Sequence, residues 1–338
     1  MLEAAARNLL DPAILFFVVG VFAGLVRSNL EVPQAVTKFL SLYLLVSLGL
    51  KGGSTMAAEG ISVSGALAIL AAVVMAFLVP ILTFLVLRKV VDPFNAAAIA
   101  GTYGSVSAVT FIAAQQFLTK SGLAFGGHMA VAMVLMESPA ILMAVTLVSY
   151  LRGKSNANGR ADENGEILPS AAAVPSIRLV LHEAFTDGGQ LMLIASLLVG
   201  LVVGPEGAVL MKPMFTDLFK GMLAFFLLEM GLLVGRQFGE KEFRLEHVLT
   251  AFALIAPMVY GSLALLLARA LSLVQGDAVL LAALSASASY IVVPAVLRYA
   301  VPEARPGIYL TMALGLTFPF NIIAGIPLYH AISEFMWR

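Results

Sequence analysis

Two short runs of small and hydroxyl-bearing residues interrupt an otherwise apolar chain. The first is Gly101-Thr102-Tyr103-Gly104-Ser105-Val106-Ser107-Ala108-Val109-Thr110; the second starts at Ser285-Ala286-Ser287-Ala288-Ser289-Tyr290 and reaches Pro294. In hydrocarbon an unpaired backbone group is costly, so a spanning helix breaks only where it lines a polar site. If such a run unwinds, its N–H groups suit an anion, and its carbonyls and hydroxyls suit a small cation. The competing reading is close helix packing, which also uses small residues. Two such runs at matched positions favour two facing pieces of one site.

Ionisable residues inside apolar segments are the next candidates. Glu137 lies mid-segment in Met133-Val134-Leu135-Met136-Glu137-Ser138-Pro139. A carboxylate at the bilayer centre costs about 2.5–3.5 kcal/mol on insertion scales, so it needs a cavity or a partner. Cation ligation or proton carriage would use it; a protonated acid bonded to a neighbouring helix is the structural alternative. Glu229, in Leu227-Leu228-Glu229-Met230-Gly231, reads as a structural or gating residue. Asp92 and Asp277 stand at segment starts and read as helix caps. Arg298 reads as a snorkelling residue at a segment end. His128, His182, His247 and His330 show no ligand spacing and read as surface or segment-end residues.

The elements that position these residues must be membrane helices. The chain has 338 residues, 60% hydrophobic and 12% charged, with a mean hydropathy of +0.98. Soluble domains carry about 25% charged residues. The net charge of zero gives a nucleic-acid partner no electrostatic basis. There is no cysteine, which excludes disulfides and thiolate metal sites. Ten apolar segments are expected, near 11–26, 36–50, 61–87, 93–120, 127–151, 191–203, 214–234, 248–273, 278–300 and 308–332. The second is expected to stop at Lys51-Gly52-Gly53 and the sixth at Gly204-Pro205. Residues 152–175 are polar and read as a linker, and Ile177 to Phe185 as a short interfacial helix. The expected division is a first five-helix repeat (1–151), a linker (152–180) and a second repeat (181–338).

The halves share spaced motifs. Gly49 and Gly53 recur as Gly231 and Gly235, and Ser105 and Ser107 as Ser287 and Ser289, all offset by 182 residues. Five spans per repeat would insert the second copy upside down, the inverted-repeat design of secondary transporters. Of the 20 Lys and Arg residues, 13 fall on the linker's side of this topology and 7 on the other. The linker is therefore expected to be cytoplasmic and both termini external.

At these positions the chain resembles the sodium-dependent bicarbonate transporters of cyanobacteria and their bacterial relatives. Gly104, Val106, Ser107 and Thr110 resemble that family's Gly-x-Val-Ser-x-x-Thr pattern. Glu137-Ser138-Pro139-Ala140 resembles its Asp-Ile-Pro-Ala segment. Ser287 through Ile291, Pro294, Leu297-Arg298, Pro302, Pro306 and Tyr309 resemble the segment around its second serine run. The resemblance implies an all-α membrane protein with ten helices in a 5+5 inverted repeat, divided into core and gate. It also implies a homotrimer in the inner membrane, sodium as coupling ion, bicarbonate as substrate and a small PII-like cytoplasmic regulator. The implied anion site is Gly104, Ser105, Val106, Ser107, Ser287, Ala288 and Ser289. The implied cation ligands are Ser107, Thr110, Glu137, Ser287 and Ser289, with sodium at Thr110 and Glu137. One departure is clear: the family's Ser-Ser-Ser-Asp is Ser287-Ala288-Ser289-Tyr290 here.

Sodium-coupled bicarbonate uptake by alternating access is thus the leading expectation. The alternatives are sodium- or proton-coupled transport of another small (organic) anion on the same fold, and an anion channel. No nucleophile elbow, His-Glu-x-x-His or histidine near the serine runs supports an intramembrane enzyme, and no cofactor beyond the coupling ion is expected.

Overall fold

A computed structural model describes residues 10–157, 188–239, 245–290 and 292–338, and every regular element among them is helical. The helices are α1 (Pro12–Leu25), α2 (Gln34–Glu59), α3 (Val63–Leu87), α4 (Pro93–Gly104), α5 (Ala108–Lys120) and α6 (His128–Ala157) in the first half. The second half has α7 (Gly188–Lys212), α8 (Phe219–Gly239), α9 (His247–Ala270), α10 (Gln275–Ser285), α11 (Val292–Ala300) and the continuous run α12 (Pro306–Met336). Seven helical stretches among the described residues are long and apolar enough to cross a membrane; one of them, Gly188–Phe238, holds both α7 and α8.

Local chemistry sets most starts. The Asp11 carboxylate accepts from Ala13 N, Ser62 Oγ from Gly65 N, and Asp92 from Phe94 N and Asn95 N; Pro12 and Pro93 open their helices, where a missing N–H costs nothing. Three expected boundaries shift. Helix α2 does not stop at Lys51 but runs to Glu59. Gly52 and Gly53 are buried packing positions there, and the Lys51 ammonium lies 5.6 Å from the Phe125 ring centre. Helix α7 bends at Gly204 (φ 61°), a left-handed conformation glycine adopts freely, and continues past Pro205 to Lys212. Helix α6 extends past the expected linker start to Ala157. The expected interfacial helix at 177–185 lies outside the described residues.

Lipid offers no hydrophobic drive between helices, so their contacts rest on close fit. Two pairs show this. Helix α1 lies on α8, with Gly20 and Gly24 against Leu228, Leu232 and Arg236, and Gly231 and Gly235 against Phe17 and Val21. Helix α2 lies on α7, with Gly49 and Gly53 against Leu193, Ser196 and Leu197, and Gly200 against Leu50. A methyl group at any of these glycines would meet backbone atoms of the partner helix. The remaining helices form a second group, in which α3 packs on α4 and α6, and α9 on α10 and α12. The Thr83 and Tyr260 hydroxyls join α3 to α9 at 2.7 Å. Helix α12 contains two π-helical stretches, Thr311–Thr317 and Asn321–Gly325.

Candidate functional site

Both serine runs break their helices. Between α4 and α5 the chain is extended at Ser105 (ψ 173°) and Ser107 (ψ 111°). The expected ninth span is likewise split into α10 and α11. The two breaks touch: Ser289 N donates to the Thr102 carbonyl at 2.9 Å, and Ser107 N donates to Ser287 Oγ at 2.9 Å. Ser287 Oγ in turn donates to the Leu284 carbonyl at 2.7 Å. Thr102 and Leu284, like Ser107 and Ser289, are 182 residues apart. One backbone contact between the breaks is therefore direct, and its counterpart is bridged by a serine hydroxyl.

The crossing brings four helix ends together. The carbonyl ends of α4 and α10 and the N–H ends of α5 and α11 converge on it, so partial charges of both signs face the same space. Ser107 Oγ caps α5 by accepting from Thr110 N at 3.2 Å. Ser289 Oγ accepts from Val293 N at 3.4 Å. Each of these serines keeps its own O–H to donate. Ser287 has already donated its proton and accepted one, so its hydroxyl serves the crossing itself. The Ser105, Thr110, Ser285 and Tyr290 hydroxyls are buried without a hydrogen-bond partner among the described residues. Such groups are costly unless a ligand or water meets them. Tyr290 reaches toward Ser107 without closing a bond, and its ring packs edge-on against Phe318.

A cavity of about 600 Å³ lies against the crossing. One wall carries Val106, Ser107, Ala108, Val109, Ser289 and Tyr290, with Met133 and Glu137 from α6 beside it. The facing wall carries Thr37, Lys38 and Ser41 from α2, Gln190 from α7, and Phe226 and Glu229 from α8. Gln190 Nε2 is also bonded to the Val134 carbonyl of α6 at 3.2 Å. The Pro139 ring cannot donate to the carbonyl four residues earlier, at Leu135, which loosens α6 beside Glu137. Of the expected site residues, Val106, Ser107, Ser289 and Glu137 line the cavity. Gly104 packs on Pro80, while Ser105, Thr110, Ser287 and Ala288 are buried at the crossing without lining the cavity. Sequence reasoning missed Tyr290 as a polar group of the site and the polar face of α2, and it read Glu229 as a structural or gating residue rather than as part of the site. Thr37 and Ser41, four residues apart and so on one helix face, were a signal for α2. Glu229 was marked as an acid inside an apolar segment, but only the fold brings it to the cavity.

Two more residues 182 apart hold the site's frame. Asn95 Oδ1 accepts from Arg305 N at 2.8 Å, just before α12. Asp277 Oδ1 accepts from Gly126 N at 2.8 Å, just before α6. Asp277 is thus not a cap of its own helix; its carboxylate is 2% exposed and also meets His128 Nε2 at 3.0 Å. His128 and His330 are buried rather than on the surface. Asn321, in a π-helical stretch of α12, donates to the Ala286 carbonyl at 2.8 Å and so satisfies the second break from behind. Arg152 joins the end of α6 to Glu303 at 2.8 Å and to the Ala300 carbonyl at 3.2 Å. The Glu303 carboxyl feels burial, which raises its affinity for protons, but Arg152 outweighs this and holds it below the usual carboxylate range. The side chain of Arg298 lies outside the described residues.

A helical bundle with several apolar spans and a polar cavity beside two broken helices has the form of a multi-pass membrane transporter. The chain belongs to the Na+-dependent bicarbonate transporter superfamily, whose family model matches residues 12–334, nearly its whole length. A search of curated proteins gave no match.

Proposed function

We propose that this protein takes up bicarbonate by coupling it to sodium through alternating access. The observation that carries the reading is the pair of capping serines, Ser107 and Ser289, at two helix N-termini that open on one cavity. Their remaining O–H groups and the Tyr290 hydroxyl suit a small anion. The carbonyl ends of α4 and α10, with Glu137, suit a sodium ion, and Thr110 and Ser287 would complete that region. Gly104, Ser105, Val106 and Ala288 supply the backbone around the anion. The cavity exceeds the size of bicarbonate, which leaves room for water to accompany the ions.

The same reading takes α1, α2, α7 and α8 as a gate and the other helices as a moving core, each half contributing five spans of an inverted repeat with the linker between. The paired glycine contacts and the 182-residue relations at the crossing support it. The cavity is lined by the starts of α2 and α7, which both lie on the linker's side. With that side cytoplasmic and the termini external, the cavity faces inward across the inner membrane. The family resemblance adds a homotrimer and a PII-like regulator at the cytoplasmic face.

Uptake of labelled bicarbonate into proteoliposomes tests this, under an inward sodium gradient, an inward proton gradient or neither. The expected result is saturable, sodium-driven uptake that Glu137→Gln and Ser107→Ala each abolish. Tyr290, a hydroxyl where relatives of the resemblance carry an acid, favours one second reading: another small anion, with a proton replacing sodium. Uptake driven by protons alone, or none from folded protein, would point there. Non-saturable flux that ignores both gradients would mean a channel.

A further inference from the structure

Glu229 is 7% exposed, and its Oε2 has no hydrogen-bond partner among the described residues although it lines the cavity. Thr37 stands beside it without closing a bond. A buried carboxylate left this way must find a cation or a proton. A metal ion is poorly served here. Helices α2 and α8 run unbroken through Thr37, Ser41 and Glu229, so their carbonyls are used in helix bonds, unlike those at the crossing.

We propose that Glu229 is a proton-binding site whose occupancy is linked to anion binding in the same cavity. The inference rests on the reading of that cavity as the anion site. The ionisable groups that share the cavity with Glu229 are Lys38 from α2, Glu137 from α6 and Tyr290 from the second break, with Thr37 of α2 and Gln190 of α7 among its polar lining; Arg236 lies further along α8 itself, and α1 carries no ionisable group. With Glu137 ionised, one sodium, one bicarbonate and the Lys38 ammonium at the mouth, the cavity is neutral only when Glu229 is a carboxylic acid. An ionised Glu229 repels the anion across a space of low dielectric. The proton comes from water in the cavity and returns there when the anion leaves. By linkage, the anion and the proton each raise the other's affinity.

The test is the Kd of labelled bicarbonate for the intact protein in detergent, at saturating sodium, in sealed scintillation-proximity wells with the bicarbonate concentration set at each pH. In the unmodified protein Kd rises by up to about tenfold per pH unit above the titration of Glu229, the limit for one linked proton. Glu229→Gln, which stays neutral, is expected to give a flat profile and tighter binding at high pH; Glu229→Asp should keep a slope. A Glu229→Gln protein with the unmodified slope overturns the proposal. Infrared difference spectra on acidification in sodium chloride give a second arm that does not depend on the substrate. A carboxylic-acid band should appear and should shift in frequency in Glu229→Asp. A band that is absent, or unmoved by that change, overturns the proton site. No bicarbonate binding with a shifting band would instead overturn the substrate reading and keep the proton site.

Discussion

The crossing of the broken helices and the paired helices α1–α8 and α2–α7 use the same small residues for opposite ends. At the crossing, Gly104, Ser105 and Ser107 let the backbone leave the helix, and buried hydroxyls remain without partners. In the pairs, Gly20, Gly49, Gly53 and Gly231 stay helical and bring two backbones into contact. The first arrangement leaves binding capacity unspent. The second spends its backbone on helix bonds and close contact, so what capacity remains there sits on side chains such as Glu229 and Thr37. What separates them is whether the backbone stays paired, and hydroxyl content alone does not tell: Ser47 and Ser196 bond back to their own helices, at Tyr43 and Leu193.

The sharpest break of this contrast is Gly231→Leu. The side chain would run into the Phe17 carbonyl, which cannot yield as a side-chain tip would. A loss on the order of 3 kcal/mol or more is expected, the upper range of overpacking, read as a lower thermal unfolding temperature in detergent or as a failure to fold. A preserved unfolding temperature would mean that the α1–α8 contact is looser than described.

Asp277→Ala should come next. It removes the acceptor for Gly126 N and His128 Nε2 inside the protein, at about 2–3 kcal/mol for a buried charged hydrogen-bond group. Its counterpart Asn95→Ala, which loses one neutral bond to Arg305 N, should cost about 1 kcal/mol. Equal losses in thermal unfolding would show that the two halves are framed alike despite their different charge.

Ser289→Ala sharpens the contrast from the other side. The cap on Val293 N is long, so about 1 kcal/mol or less of stability is expected to go, while sodium-driven uptake should fall far more. Ser47→Ala, away from the crossing, should leave uptake unchanged. Equal uptake in the two variants would remove Ser289 from the site.

The smallest effect is expected at the Arg152–Glu303 tie. Glu303 is about one-third exposed, which screens the pair, so Glu303→Gln should cost about 0.5–1 kcal/mol. Because the folded carboxyl titrates lower than the unfolded one, the tie is fully present above the ordinary carboxylate range. It is lost as pH falls through the lowered folded value. Unfolding curves of the two proteins should converge in acid and separate toward neutral pH; a gap that persists in acid would mean that Glu303 acts by packing.

Much of this was legible along the chain. Apolar segments of bilayer length, with Asp92 at the start of one, marked helices, because capping and bilayer length are local constraints. The offset shared by Gly49, Gly53, Ser105 and Ser107 marked related halves, since spacing needs no coordinates. Lys51-Gly52-Gly53 misled: a charge and two glycines usually end a helix, but here a partner helix and the Phe125 ring accept them. Asp277 misled for the same reason, since its partners, Gly126 and His128, are distant in sequence.

The sequence by itself determined that this is a helical membrane protein with two hydroxyl-rich runs at matched positions and acids inside apolar segments, because composition, periodicity and hydroxyl runs follow from residue type. Only the tertiary structure decided that the interruptions meet through Ser287, that Ser107 and Ser289 cap helices toward one cavity, and that Glu229 shares it with Glu137. Those facts depend on how α2, α7 and α8 are placed against the crossing, and no local pattern encodes a distance between helices.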